Sequence, residues 1–376
     1  MEAFKMGVEA TSEAFLPCKP TSGQNSAAAA TSAAATTAAA TDSSASTSTS
    51  TTTSSCTTCS SSPALSASLN EPIGDAEHFF FGSSASTSTL SPLARMSMVG
   101  HRGCSASAPE NTLASMKLAF ERGADGVEFD VQRSKDGAIF LLHDSTLRRT
   151  ADPTCPTSLL ERGCSQEEYL TMLDIDVSEL SYEAFIRHVP VGVWRPSEGL
   201  QEEVQYPCLM TEVMSILPKG KYVLCEVKGG DQASAKAVAQ LVEEQGWTSE
   251  QLKFIGFDLE LMIELKNDLT QRCLDYVPVI FLKDVVSEQD AIDTVKVAHQ
   301  AGLDGVDFQA DADMVTAKVV DAALFSGLCI GVWVWDVLPL SDTVETASVL
   351  RDIGVQFYTS DLPSSMCRWM TEDALN

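Results

Sequence analysis

No stretch of the 376-residue chain approaches 18 strongly apolar residues, which excludes a membrane-spanning helix. Positive charge is scarce, with 25 Lys and Arg against 52 Asp and Glu, a formal net charge of −27. Residues 1–95 hold three basic and seven acidic groups, which leaves residues 96–376 with 22 against 45, or −23. So acidic a surface repels nucleic-acid backbones and anionic membranes at long range, so neither is expected as a partner. Any phosphate the protein handles must be met locally, by a metal or by a few placed cations. The eleven cysteines have no repeating spacing, which argues against a disulfide framework or a zinc motif. Cys208, Cys225 and Cys329 fall in apolar segments where a thiol acts as a small hydrophobe, and Cys155 and Cys164 could pair in an oxidising compartment. Cys56 and Cys59 form a CxxC with no strand and helix to frame it.

Residues 26–53 are Ser, Thr or Ala except for Asp42, a run that cannot bury enough apolar surface to offset the entropy of ordering it. The N-terminus also lacks the basic segment and Leu-rich stretch of a secretory signal. It shares Ser, Thr and Ala richness with plastid and mitochondrial transit peptides, yet it is poor in Arg and carries Glu2, Glu9 and Glu13. We read residues 1–95 as a disordered extension, and a soluble cytoplasmic or organellar location is expected.

After Arg95 short apolar runs alternate with segments of helical period. The runs are 98–100, 127–131, 139–142, 222–227, 254–257, 277–282, 305–308, 329–335 and 355–359, with helices expected over 112–121, 232–245, 259–268, 288–300, 312–324 and 342–351. Strands alternating with helices mean a parallel sheet. Only residues 132–138 separate the second run from the third, too few for a parallel crossover, and Asp136-Gly137 is a hairpin turn signal. The third run is therefore an antiparallel excursion. The other eight fit an α/β fold, a (βα)8 TIM barrel of residues 96–370 with a β-hairpin excursion after the second strand. The weakly periodic stretch 151–205 reads as an insertion over the C-terminal face. A doubly wound open sheet is disfavoured, because no Gly-rich phosphate loop opens a helix after the first strand.

In Val127-Glu-Phe-Asp-Val131 strand alternation puts Glu128 and Asp130 on one face, about 7 Å apart, at the end where barrel enzymes place their sites. Glu226 and Lys228 share a face in the same way. Buried like charges call for a compensating cation, and three carboxylates without a dense Cys/His set suit Mg²⁺ or Ca²⁺ rather than zinc. Two of the five histidines, His101 and His143, end strands and suit acid/base work, one accepting a proton and the other donating one. Arg102 offers a fork for phosphate. His78, His188 and His299 read as solvated or structural.

Gly100-His-Arg-Gly103, Ala108-Pro-Glu-Asn-Thr112, residues 123–131, Lys135-Asp-Gly137, His143-Asp144 with Leu147-Arg-Arg-Thr150, Glu226-Val-Lys228 and Thr359-Ser-Asp-Leu-Pro363 resemble the glycerophosphodiester phosphodiesterase family in order and spacing. The resemblance implies a (βα)8 barrel that hydrolyses glycerophosphodiesters, small-molecule substrates, to an alcohol and glycerol 3-phosphate. It implies His101 and His143 as the acid/base pair, with Glu128, Asp130 and Glu226 holding one divalent cation. Arg102 and Lys228 would meet phosphate. We take His101 as the base and His143 as the acid. Where the family often has Trp-x-x-Asn, Val332-Trp-Val-Trp-Asp336 carries Asp, and the insertion, expected to line the alcohol pocket, matches loosely.

Competing readings are a lysophospholipase D-type enzyme using Tyr169, Leu170, Met172, Phe185 and Trp194 to line an acyl groove, a non-catalytic phosphodiester-binding barrel, and a metal-dependent lyase acting on carboxylates.

Overall fold

The computed structural model describes residues 95–196, 201–229, 232–334 and 342–373, with side chains described as far as residue 369. Cys56, Cys59, His78, Trp335 and Asp336 lie outside them.

The chain enters along β1 (Ser97–Gly100), returns through α1 (Leu113–Glu121) and runs into β2 (Gly126–Arg133). From β2 it turns at Gly137 into β3 (Ile139–Leu141), which pairs antiparallel with β2. An excursion follows, with α2 (Thr157–Leu160), α3 (Gln166–Met172) and a hairpin of β4 (Gly192–Trp194) and β5 (Glu203–Gln205), before α4 (Met210–Ser215) leads back. The remaining units alternate: β6 (Tyr222–Val227), α5 (Gln232–Gln245), β7 (Leu252–Gly256), α6 (Leu259–Gln271), β8 (Val279–Lys283), α7 (Glu288–Gln300), β9 (Gly305–Gln309), α8 (Ala317–Phe325), β10 (Cys329–Trp333), α9 (Val344–Asp352), β11 (Phe357–Ser360) and α10 (Pro363–Asp373). Thr112, Asp258, Ser287 and Thr343 cap α1, α6, α7 and α9 by accepting from backbone N–H groups of the first turn.

Eight strands, β1, β2 and β6 to β11, pair parallel in chain order, and β1 meets both β2 and β11, so the sheet closes into a barrel. Strand limits differ from the sequence expectation by no more than two residues at most ends.

Alternation sorts the side chains. Val127, Phe129 and Val131 join the core shared with the helices, while Val99, Leu224, Ile255, Ile280, Leu282 and Phe357 fill the lumen. A Cβ at Gly331 would meet the Phe357 ring at 1.9 Å, so glycine there makes room for Phe357. Glu128, Asp130, Glu226 and Asp307 point into the same lumen above this apolar plug.

The insertion builds a core of its own, with Tyr169, Leu173, Val177, Tyr182, Phe185 and Ile186 packed on Phe140 and Leu142 of the excursion. Asp136 ties it to the hairpin: its carboxylate accepts from the hydroxyls of Ser134 and Ser181, each at 2.6 Å, and from the Tyr182 N–H at 2.8 Å.

Candidate active site

The first loop is shaped before it is charged. Arg102 and Asn111 both adopt left-handed backbone (φ 52° and 54°), and Gly103 has φ 85° with space for no Cβ, since one would lie 2.5 Å from Ser115 Oγ. This turn brings the Arg102 N–H to Glu128 Oε2 at 2.8 Å. Asn111 then donates to Asp130 Oδ2 at 2.7 Å and accepts from the Asp130 N–H at 3.2 Å. Two of the motifs read from sequence are thus the mounts of the two β2 carboxylates.

Asp130 and Glu226 are register partners on β2 and β6. With Glu128 they place three carboxylate oxygens within 4.8 Å of one another. Oxygens bound to one Ca²⁺ at about 2.4 Å each can be no farther apart than about that, and those on the smaller Mg²⁺ must draw closer, so in spacing and in chemistry the set is compatible with one hard divalent cation. The Lys228 ammonium bridges the same group, 2.5 Å from Glu226 and 3.1 Å from Asp130, and Arg102 Nε lies 3.5 Å from Asp130.

These charges divide the carboxyls. Burial first, then Asp130 and Glu226, pushes Glu128 up to about 8; burial and Asp130 push Glu226 up to about 7. Burial would raise Asp130 too, but Lys228, Arg102 and the Asn111 hydrogen bond hold it well below the usual carboxylate range.

Each histidine is held by a carboxylate. Asp361 accepts from His101 Nδ1–H at 2.7 Å, and Asp144 accepts from His143 Nδ1–H at 2.7 Å, which turns both Nε2 atoms toward the well. Their surroundings differ. Burial alone would lower His101, but the Asp361 hydrogen bond and the Glu128 charge push it up to about 9. His143 is lowered, by burial and by the Lys228 and Arg102 charges, against the pull of Asp130. In the ion-free site the two imidazoles are thus pushed in opposite directions, His101 toward its protonated form and His143 toward its neutral one.

His101, Arg102, Glu128, His143, Glu226 and Lys228 line one well of about 250 Å³, together with Phe257, Asp284, Asp307, Trp333 and Thr359. Phe257 and Trp333 meet edge to face at 5.6 Å. Around an eight-strand barrel β9 stands opposite β2, so Asp307 faces the carboxylates across the lumen. It is fully buried, neither of its oxygens has a hydrogen-bond partner, and burial first, then Glu128 and Glu226, holds it well above the carboxylate range. Sequence reasoning missed Asp307, although Gly305-Val-Asp-Phe308 has the same alternation as the Glu128 strand. It also quoted Glu110, Asp144, Arg149 and Asp361 within motifs without giving them work.

Among the described residues of 151–205 none lines this well, where the insertion was expected to form the alcohol pocket. Tyr169 and Phe185, offered for an acyl groove, are buried in the insertion core.

The glycerophosphoryl diester phosphodiesterase family model matches residues 101–364. Glycerophosphodiester phosphodiesterase 1 of Homo sapiens is 46% identical over 155 residues, 41% of this chain and 40% of the relative. The glycerophosphodiester phosphodiesterase of Caldanaerobacter subterraneus is 51% identical over 55 residues, 15% of this chain and 23% of the relative. The chain thus spans well under half the length of these curated relatives. Among solved structures, one described as a putative glycerophosphodiester phosphodiesterase from Galdieria sulphuraria superposes with a TM-score of 0.56 at 21% identity, covering 75% of this chain and 100% of that one. An Oleispira antarctica phosphodiesterase, solved in complex with the product sn-glycerol-3-phosphate, gives 0.55 at 20% identity, with 74% and 97% covered.

Proposed function

The chain belongs to the glycerophosphoryl diester phosphodiesterase family, and from that premise we propose that it hydrolyses glycerophosphodiesters to an alcohol and glycerol 3-phosphate in a metal-dependent reaction. One observation carries the reading: a buried trio of carboxylates, two nearby cationic side chains and two histidine–carboxylate dyads surround a single well.

Glu128, Asp130 and Glu226 would hold one divalent cation, Mg²⁺ or Ca²⁺. Such a cation neutralises a nonbridging phosphate oxygen and lowers the pKa of a hydroxyl it binds. Arg102 and Lys228 supply the remaining positive charge, which an anionic diester needs in a protein of net charge −27. His143, neutral and with Nδ1–H fixed by Asp144, takes the proton of the attacking hydroxyl on Nε2. His101, protonated and held by Asp361, gives its Nε2 proton to the departing alcohol oxygen. The attacker is water, which gives glycerol 3-phosphate directly, or the substrate's own glycerol hydroxyl, which expels the alcohol to leave a cyclic phosphate that water then opens. Phe257 and Trp333 offer apolar contact to the organic part of the substrate.

The test is product analysis with purified protein, a panel of glycerophosphodiesters and one lysophospholipid, and Mg²⁺ or Ca²⁺. Glycerol 3-phosphate, lost in excess chelator and restored by the ion, is the expected outcome. Full activity in chelator removes the metal, and binding without any turnover leaves a phosphodiester-binding barrel. Proton abstraction from a carboxylate substrate, without phosphate release, would replace the reading by a lyase.

A further inference from the structure

Arg149 lies outside the set of residues given a part in the reaction, yet beside the well it donates four hydrogen bonds to two carboxylates. Its Nε donates to Asp144 Oδ2 at 2.7 Å and its Nη2 to Asp144 Oδ1 at 3.2 Å. Its other edge donates to Glu110, Nη1 to Oε2 at 2.8 Å and Nη2 to Oε1 at 2.7 Å. One planar guanidinium therefore grips two carboxylates, each by two bonds, the geometry that distinguishes Arg from Lys. Both carboxylates continue inward. Asp144 Oδ1 accepts from His143 Nδ1–H at 2.7 Å, and Glu110 Oε1 accepts from Arg102 Nη1 at 3.3 Å.

The chain His143–Asp144–Arg149–Glu110–Arg102 joins an acid/base imidazole to a phosphate-facing guanidinium through a residue that lines no part of the well. Both anchor carboxyls are held below the usual carboxylate range by hydrogen bonds that overcome their burial, to Arg149 and His143 in Asp144 and to Arg149 in Glu110. Without the clamp, Asp144 is a single carboxylate on the strand-end loop, 30% exposed, and free to turn to water. A His whose Nδ1–H loses its acceptor no longer keeps its lone pair on Nε2.

We propose that Arg149, gripping Asp144 and Glu110 at once, is a positioning residue that fixes the tautomer and aim of His143 and the placement of Arg102. The inference rests on the phosphodiesterase reading for its kinetic consequence but not for its structural one.

The experiment compares Arg149→Met and Arg149→Lys in the full chain, each checked for an unchanged melting profile. Against glycerophosphocholine with Mg²⁺ or Ca²⁺, Arg149→Met should lower kcat/KM about 10-fold to 100-fold, the cost of a small misplacement at a reacting centre. Arg149→Lys should recover little of it, because an ammonium cannot hold two carboxylates by two bonds each. In an Asp144→Ala, Glu110→Ala background, where the clamp has nothing to grip, the further loss from Arg149→Met should shrink to about 2-fold or less. Nitrogen NMR of the His143 ring, which needs no turnover, should show the Nδ1–H tautomer giving way to a mixture in Arg149→Met. Full recovery by Lys, an equal loss in both backgrounds or an unchanged His143 tautomer would overturn the inference. Should Arg149→Met fail to fold, Arg149→Lys and Glu110→Gln carry the same NMR test. A native protein inactive on every diester would refute the functional reading, while the tautomer still decides the role of Arg149.

Discussion

Titrating a divalent cation into the protein should drive protons out of it. In the ion-free site Glu128 sits at about 8 and Glu226 at about 7, both raised first by burial and next by Asp130. At pH 7 a carboxyl of pKa 8 is about nine-tenths protonated and one of pKa 7 about half. Both must ionise to become ligands, so an ion should release on the order of one proton or more at pH 7, and its association constant should rise with pH there. The release approaches two at pH 6. The same raised values set the stability of the protein in chelator. A carboxyl whose folded pKa lies above its unfolded one favours folding below the unfolded pKa, and that advantage is lost as pH rises toward the folded value. The melting temperature in chelator should therefore fall from about pH 5 to pH 8, and the rise caused by Mg²⁺ or Ca²⁺ should be larger at pH 8 than at pH 6. Calorimetric titration in two buffers of different ionisation enthalpy counts the protons directly. Glu128→Gln should remove close to one of them. Binding with no proton release at pH 7, or with an affinity independent of pH between 6 and 8, would refute the placement of the ion among these carboxylates.

Further outcomes follow from the same geometry. With the roles as proposed above, His101→Ala should lose far less activity on a nitrophenyl diester, whose leaving group needs no proton, than on a choline or ethanolamine diester, while His143→Ala should lose on both; the reverse pattern restores the assignment made from sequence. Asp307→Leu replaces a carboxyl without partners by an apolar side chain beside Leu282, and in urea unfolding with chelator it should stabilise the fold by about 1–3 kcal/mol; destabilisation would mean that the carboxyl has a partner the well supplies. A chain that begins at Arg95 should retain full activity, since among the described residues the barrel strands lie between Ser97 and Ser360 and those lining the well between His101 and Thr359; loss of activity in a folded protein of that length would bring the N-terminal segment into the reaction.

The barrel was legible because each of its strands carries the pattern of its own surroundings. Val127, Phe129 and Val131 meet helices while Glu128 and Asp130 meet the lumen, and that two-residue period is written in adjacent letters. The hairpin excursion was legible for the same local reason, an Asp-Gly turn in a connection too short to cross back. The insertion was legible as an interruption but its internal packing was not, since its core of Tyr169, Phe185 and Ile186 follows neither the strand nor the helix period.

At the site the limit of legibility was distance along the chain. Asp361 reaches His101 across 260 residues and only because β11 closes the barrel against β1. Glu110 and Arg149 meet across 39 residues at the edge of the excursion. Asp307 gained meaning only when β9 came to stand opposite β2. The donor set could be read from residue types, but protonation could not, because it depends on what surrounds each group after folding. Two histidines with the same intrinsic pKa, each on a carboxylate at 2.7 Å, are driven apart in opposite directions. His101 is raised against its burial by the Asp361 hydrogen bond and by Glu128, while His143 is lowered first by burial and then by Lys228 and Arg102, against the pull of Asp130. The difference between them is made by closure of the barrel, which seats Asp361 against His101 and leaves His143 at the excursion with Asp130, Lys228 and Arg102 nearby.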